Sequence, residues 1–458
     1  MKKNILAVVV LLLTIVSLPS IGNSFIKNSI DERLLELKSF GLQTSKDESI
    51  STYLNTSRHF EFLLKDSQVF LNHLKQYSDK QIPPYVNSML VGVLIGADIK
   101  YSNLPFAKAF EIEIYPMKLS PKMSEVLKDN DINFYKYTEN FLQNKGVLYH
   151  IEYNLLNEDF TGYIKDINEK QTLRDGTNLM LSLENANFKG NGELLAPKEL
   201  SSKVKELHFD VSLDEKNLNI LLSKFKSTSI LESENTYSTS VDVQTMLVTL
   251  EGTGNDVNIS MEKLRANTSS NEEGKSIQFN SKTSIKRLEF SSKLAKFNMK
   301  KFNIDVALRG LDKQEYSHFA QLLSQNTSQV STVSNAAIET SITKLLSKGI
   351  VLEIANFSVD EFSRNRDDTI KGFNIKSKFT LKEDKDLAQK RIPSLFVLIP
   401  NISIESEIRI SKTLYKKLKN DSRILEGFNG YEKEDGDDYT FTLKFADMQA
   451  SINGTSIN

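Results

Sequence analysis

The sequence predicts a mainly β or α+β protein: extended, curved, largely antiparallel sheets with a few interspersed helices, preceded by an N-terminal membrane-anchoring helix. Three observations carry this expectation. Segment after segment alternates apolar and polar residues with a period of two. A few stretches with helical spacing interrupt these segments without alternating regularly with them. The chain opens with a basic start and an apolar run. Period-2 segments place one face on a core and one in water, the habit of antiparallel sheets. Runs of strands with scattered helices argue against a doubly wound parallel sheet.

The alternation is explicit at Phe110, Ile112 and Ile114 against Glu111 and Glu113, and at Tyr149, Ile151, Tyr153 and Leu155 against His150, Glu152 and Asn154. It returns at Leu207, Phe209, Val211 and Leu213, at Phe302, Ile304, Val306 and Leu308, and at Tyr439, Phe441, Leu443 and Phe445. Ser88 to Ile99 reads as a buried strand. Helices are expected over Phe25–Phe40 (Ile26, Ile30, Leu34, Leu37), packed on the body, and over Asp214–Phe225 (Leu218, Leu221, Leu222, Phe225). A third covers Asp312–Gln325, with Asp312 as N-cap and Glu315 at the capping-box position. Ser331–Ser347, stopped by Gly349, and Lys412–Lys419 complete the set.

Met1-Lys2-Lys3-Asn4 precedes an apolar run from Ile5 to Val16 broken only by Thr14, and Ile5 to Ile21 is 17 residues. A full helical span takes about 20. Two readings are open, an uncleaved anchor and a signal peptide cut after Gly22. With Lys2 and Lys3 inside, the body lies outside the cytoplasm. The expected organisation is a signal-anchor over residues 1–24 and a β-rich body over 25–458, with sub-domains of about 25–205 and 206–458.

Composition narrows the chemistry. Of 458 residues, 39% are hydrophobic and 26% charged, enough to bury a core. Lys plus Arg number 58 and Asp plus Glu 59, with no long basic block, so no nucleic-acid partner is expected. The chain has no cysteine, which removes disulfides, thiolate metal sites, Fe–S clusters and cysteine nucleophiles. The histidines His59, His73, His150, His208 and His318 lack helical zinc spacing. His150 and His208 fall on the polar parity of their strands.

Ser223/Lys226 and Ser341/Lys344 match Ser-x-x-Lys without the partner motifs of a serine acyl-transfer site. Gly252-Thr253-Gly254 reads as a turn. Glu432-Lys433-Glu434-Asp435-Gly436-Asp437-Asp438 reads as a solvated hairpin turn, with a calcium site as the alternative. No catalytic, cofactor-binding or metal residue is assigned, and no cofactor is expected.

A weak repeat relates Leu181-Ser182-Leu183-Glu184-Asn185-Ala186, Ile259-Ser260-Met261-Glu262-Lys263-Leu264, Leu352-Glu353-Ile354-Ala355-Asn356-Phe357 and Leu443-Lys444-Phe445-Ala446-Asp447-Met448. The C-terminal half has a further order: an apolar strand, a helix opening at Leu311-Asp312, Gly349 followed by a strand, and Asp438-Tyr439-Thr440-Phe441-Thr442-Leu443-Lys444-Phe445 closing on Ile452-Asn453-Gly454. This arrangement resembles the YdgA-like bacterial family of unknown function, which is distantly AsmA-like. Ser51-Thr52-Tyr53-Leu54 stands where that family often carries a Gly-aromatic pair.

The resemblance implies a single-pass bacterial inner-membrane protein with its C-terminal body in the periplasm, and brings no catalytic residues. The expected role is therefore a non-enzymatic envelope protein that handles lipid, or maintains the envelope, through a β groove. The alternative is a scaffold or module that binds another envelope protein without lipid; a carboxylate hydrolase ranks below both.

Overall fold

A computed structural model of the chain describes residues 27–457, apart from residues 29, 33, 36, 76–83, 105–109, 195, 234, 253, 255, 327–334, 365–368, 390–397, 420–424 and 426. The expected anchor over residues 1–24 lies outside the described residues. Among them, no helix is long and apolar enough to cross a membrane. Strands take 61% and helices 22%, so the β-rich class holds. The chain divides into two compact units, Met1–Asp214 and Glu215–Asn458.

In the first unit β1 (Leu42–Ser51), β2 (Asn55–Leu64), β3 (Leu94–Ser102), β4 (Phe110–Lys118) and β5 (Tyr149–Tyr153) pair antiparallel in chain order. β5 continues to β6 (Asp159–Ile164), and β7 (Ile167–Thr172) prolongs it. β8 (Asn178–Glu184) and β9 (Ala186–Glu193) return alongside them, and β10 (Ala196–Leu213) pairs with both. Residues of 27–39 form a helix. Its Ile30, Leu34 and Leu37 pack on Phe60, Phe62, Ala97 and Phe110, as the amphipathic spacing predicts. Buried Arg58 pins it there, 2.9 Å from Asp31 of the helix and 2.9 Å from Asp47 of β1.

The expected strand over Ser88–Ile99 divides. Ser88–Leu90 close a short helix, Pro84–Leu90, and Gly92 turns the chain at φ 87° before β3 begins at Leu94. Glycine supplies that backbone without a Cβ penalty.

In the second unit β11 (Lys216–Ser233), β12 (Thr236–Glu251), β13 (Val257–Glu273), β14 (Ser276–Ser292), β15 (Lys296–Asp312), β16 (Ile350–Arg364), β17 (Ile370–Leu381) and β18 (Ile402–Ser411) form an antiparallel meander. β19 (Lys433–Asp435), β20 (Asp438–Ala446), β21 (Gln449–Ile452) and β22 (Thr455–Ile457) complete it, with β20 beside β18. The expected helix over Asp214–Phe225 is instead β11. Asp214 occupies a turn at φ 51°, and every residue from Asn217 to Ser223 pairs with β12.

A crease explains that misreading. Lys224, Lys263 and Lys301 adopt left-handed φ of 48°, 52° and 50° in the middle of β11, β13 and β15. The pairing registers place them in one cross-strand row with Gln244 of β12 and Lys286 of β14. Apolar parity inverts at this row in each strand: Leu218, Ile220 and Leu222 precede it, and Phe225 follows. In β16 the inversion is visible in the packing. Val359 and Phe362 stand three apart. Phe362 joins the same apolar cluster as Phe373, the cross-strand partner of Val359. On the polar side consecutive Lys300 and Lys301 pair with Glu361 (2.6 Å) and Asp360 (2.8 Å). The inversion puts Leu222 and Phe225 on one face at helical spacing.

The repeat marks breaks in regular strand backbone, one of them, at Lys263, on the crease. Its fifth residue is left-handed at Asn185, Lys263 and Asp447, and Asn356 lies in a β16 bulge. Asp447, with Met448 at φ 63°, makes a hairpin turn, and Asn453-Gly454 makes another at φ 49° and 81°.

The remaining helices fall where expected. Lys313–Asn326 is capped by Asp312, whose carboxylate accepts from the amides of Gln314 (3.0 Å) and Glu315 (3.1 Å). Asn335–Ser347 ends before Gly349 at φ 82°. Lys412–Lys419 buries Leu414 and Tyr415 against Phe441. On β20, Phe441 is buried, Tyr439, Leu443 and Phe445 are half-buried, and Thr442 and Lys444 are exposed.

Two stability predictions follow from this packing. Phe441→Asp places an unpaired charge in the core and should cost about 4 kcal/mol, whereas Lys444→Asp should stay within about 0.5 kcal/mol. Thermal melts that coincide would remove β20 from the core. At the crease, Lys263→Gly should match or exceed the parent by up to about 1 kcal/mol, and Lys263→Val should lose about 1–2 kcal/mol. Equal denaturation midpoints for the two would show that the left-handed backbone is not required there.

Candidate functional site

Two surfaces stand out, one in each unit. In the first, cross-strand registers assemble a polar row: Glu48 of β1, His59 of β2, Asp98 of β3, Glu113 of β4, His150 of β5, Tyr163 of β6, Asn187 of β9 and Lys203 of β10. Each is the polar-parity residue of its strand, so the row is what period-2 patterning produces once register is set.

Its centre is a hydrogen-bonded knot. His59 Nδ1 lies 2.7 Å from Asp98 Oδ1, and Tyr115 donates its hydroxyl to Asp98 Oδ2 at 3.0 Å. Lys145 donates to Asp98 (2.6 Å) and Glu113 (2.8 Å), with its ammonium 4.2 Å from the centre of the Tyr115 ring. Lys145 reaches this point because it is the left-handed residue, φ 52°, closing the helix Ile132–Gln143. The Gly146 amide bonds Phe141 O and the Lys145 amide bonds Leu142 O, a Schellman motif with lysine in the usual glycine place.

Burial pushes the Asp98 carboxyl up, but hydrogen bonds from Lys145, His59 and Tyr115 outweigh it and hold it below the usual carboxylate range. Burial and the bond to Asp98 push the Tyr115 hydroxyl up to about 12. A general acid needs the opposite, a carboxyl raised towards neutrality. The knot is a clamp in which one ammonium bridges two carboxylates.

The other sequence candidates separate. Ser341 is buried, 3.4 Å from His318 Nδ1, while Lys344 is exposed. Ser223 and Lys226 lie on β11 either side of the crease. His208 is on β10, and the side chain of His73 lies outside the described residues. Gly252 and Gly254 turn the chain between β12 and β13 at φ 74° and 86°.

The acidic run forms the β19–β20 hairpin, and bases neutralise most of its carboxylates. Glu434 meets Lys412 (2.7 Å), Asp435 meets Arg409, and buried Asp438 meets Lys371 (2.7 Å). Glu432 accepts from Tyr415 at 3.1 Å. Among the described residues, no three His, Asp or Glu side chains group as metal ligands.

The second surface is apolar. Three rows cross β11 to β16 on one side of the crease: Leu218, Leu250 and Val257; Ile220, Val248, Ile259, Phe290 and Phe297; Leu222, Met246, Met261, Leu288, Met299 and Phe362. None of these side chains is fully buried. Among the described residues, only Phe362 joins a core cluster. A further row, Phe225, Val243, Leu264, Ile285 and Phe302, lies across the crease, with Val243 and Ile285 buried. These rows cover about 25 Å along the strands and about 25 Å across six of them. The sequence hid this face because its apolar parity changes in mid-strand. The signal was the Φ-x-Φ-x-Lys-Φ pattern at 220–225, 259–264 and 297–302.

Comparison with protein-family models, with curated proteins and with solved structures finds no match to this chain.

The clamp predicts an acid response. A depressed carboxyl adds stability above its unfolded-state range and loses it as pH falls through the folded value. Lys145→Met removes one of the hydrogen bonds that depress Asp98 and the charge attraction that goes with it, so acid unfolding monitored by circular dichroism should begin at higher pH than in the parent. An unchanged acid midpoint would show that the clamp is not linked to folding.

Proposed function

We propose that the chain is a non-enzymatic, N-terminally anchored envelope protein whose second unit holds lipid acyl chains on a curved sheet. The observation that carries this reading is the half-buried apolar face of β11–β16. Its rows set half-buried apolar side chains side by side on neighbouring strands, and contiguous apolar patches of this kind mark binding surfaces. The apolar run from Ile5 to Ile21 and the family resemblance support the anchor and the envelope location. The scaffold reading places a protein partner on the same face.

The test is photo-crosslinking of the intact chain in vesicles carrying a phospholipid with a diazirine in its acyl chain. Labelled peptides should map to β11–β15. Met261→Asp should reduce that labelling by roughly tenfold, a change of about 1.4 kcal/mol, since a charge is poorly accommodated beside acyl chains. Label confined to the first 24 residues would favour the scaffold. The intact mass of the same preparation should retain Met1-proximal sequence; a chain beginning near Asn23 would remove the anchor.

A further inference from the structure

The first unit holds a cleft of about 340 Å³ on the polar face of β5, β6, β9 and β10, lined by His150, Glu152, Thr161, Tyr163, Lys189, Lys203 and neighbouring residues. Its depth comes from side-chain size. The row Glu152, Thr161, Lys189, Ser201 sets small Thr161 and Ser201 among longer neighbours. The adjacent row, His150, Tyr163, Asn187, Lys203, supplies one wall. Tyr163 is 42% exposed, and its ring stacks on His150 at 4.8 Å.

Charge is unevenly distributed in this cleft. Glu152 lies at the β5 end, 3.7 Å from His150 Nε2. Lys189 and Lys203 lie two and three strands away, at the β9–β10 end. They are diagonal neighbours on one face, roughly 7–8 Å apart at the backbone. Some lysines of the unit meet carboxylates, among them Lys145 with Asp98 and Glu113, Lys198 with Glu158, and Lys205 with Glu184. Among the described residues, neither Lys189 nor Lys203 has a carboxylate within ion-pairing distance. At the β5 end, buried Nδ1 of His150 has no hydrogen-bond partner.

Like charges held together on one sheet face disfavour each other unless an anion lies between them. We propose that this cleft binds a phosphate group, bridged by the Lys189 and Lys203 ammoniums, with the rest of the ligand against the Tyr163 ring. Charge-assisted bonds to two ammoniums suit a phosphate's several acceptor oxygens. The phosphate belongs either to a small soluble ion or to a lipid headgroup. The assignment is independent of the apolar face of the second unit, because it is read from the loss in a variant confined to Lys189 and Lys203 and from a probe, inorganic phosphate, that has no acyl chain.

The experiment is isothermal titration calorimetry of the intact chain in one detergent, with inorganic phosphate and, separately, dihexanoyl phosphatidic acid. The comparison is with Lys189→Gln/Lys203→Gln, and with Lys224→Gln as a control for general charge. All these lysines are exposed, and circular dichroism checks the fold of each variant. Binding of either probe that weakens about tenfold or more in the double variant, and not in the control, supports the site. A loss seen with both probes assigns a phosphate-ion site, and a loss seen with phosphatidic acid alone assigns a headgroup site. Absence of binding by both probes, equal binding by the double variant, or an equal loss in the control overturns the proposal.

Discussion

The second unit depends on one constraint: an amphipathic strand of about 17 residues must keep its apolar side chains on one face even where the pleat changes phase. At the crease two consecutive residues of each strand go to the polar side, so residues three apart return to the apolar one. No strand can do this alone. A strand that kept a regular pleat would turn half its apolar residues outward against neighbours already paired in register. The left-handed residues at Lys224, Lys263 and Lys301 therefore act together. Each costs about 1–2 kcal/mol in backbone conformation. Apolar contacts along rows such as Ile220, Val248, Ile259, Phe290 and Phe297, the last two stacked at 4.9 Å, offset that cost.

Charge does a different job in the first unit. Exposed ion pairs contribute little, at most about 1 kcal/mol each. Arg58 is an exception, because its side chain is only 5% exposed between Asp31 and Asp47 and anchors a helix over the Phe60–Phe110 core. Removing either acid would leave a buried guanidinium half-paired. His59, Asp98, Glu113 and Lys145 hold three strands and a helix end in one geometry without supplying much stability.

Local chemistry was legible in the sequence and long-range pairing was not. Asp312, Gly349 and the alternation from Tyr439 to Phe445 announced a cap, a stop and a strand, because each depends on residues within a turn of itself. His59, Asp98, Glu113 and His150 are each readable as polar-parity residues, yet nothing local says they share a row. That requires registers between strands up to about 90 residues apart in the chain. The region 214–225 failed for a sharper reason: Leu218, Leu222 and Phe225 have helical spacing because a left-handed lysine imitates it. Of the weak repeat, only the copy at Lys263 falls on the same kink; the others mark a hairpin turn, a bulge and a strand boundary.

Connectivity explains why one part of the apolar face stays open. The first unit's core is covered by the helix of residues 27–39. β15 to β20 are flanked by the helices Lys313–Asn326, Asn335–Ser347 and Lys412–Lys419, which pack on Ile277, Leu311, Leu381 and Phe441 or close to them. β11 to β15 are joined by turns of at most five residues, as between Ser233 and Thr236 and between Glu251 and Val257. Such turns cannot contain a covering element, since even a short helix needs more chain. The crease meanwhile keeps Leu218, Ile220, Leu222, Met246, Ile259, Met261, Leu288 and Met299 on that same side. Short turns and a collective pleat inversion together present an apolar surface that no element of these hairpins is able to bury.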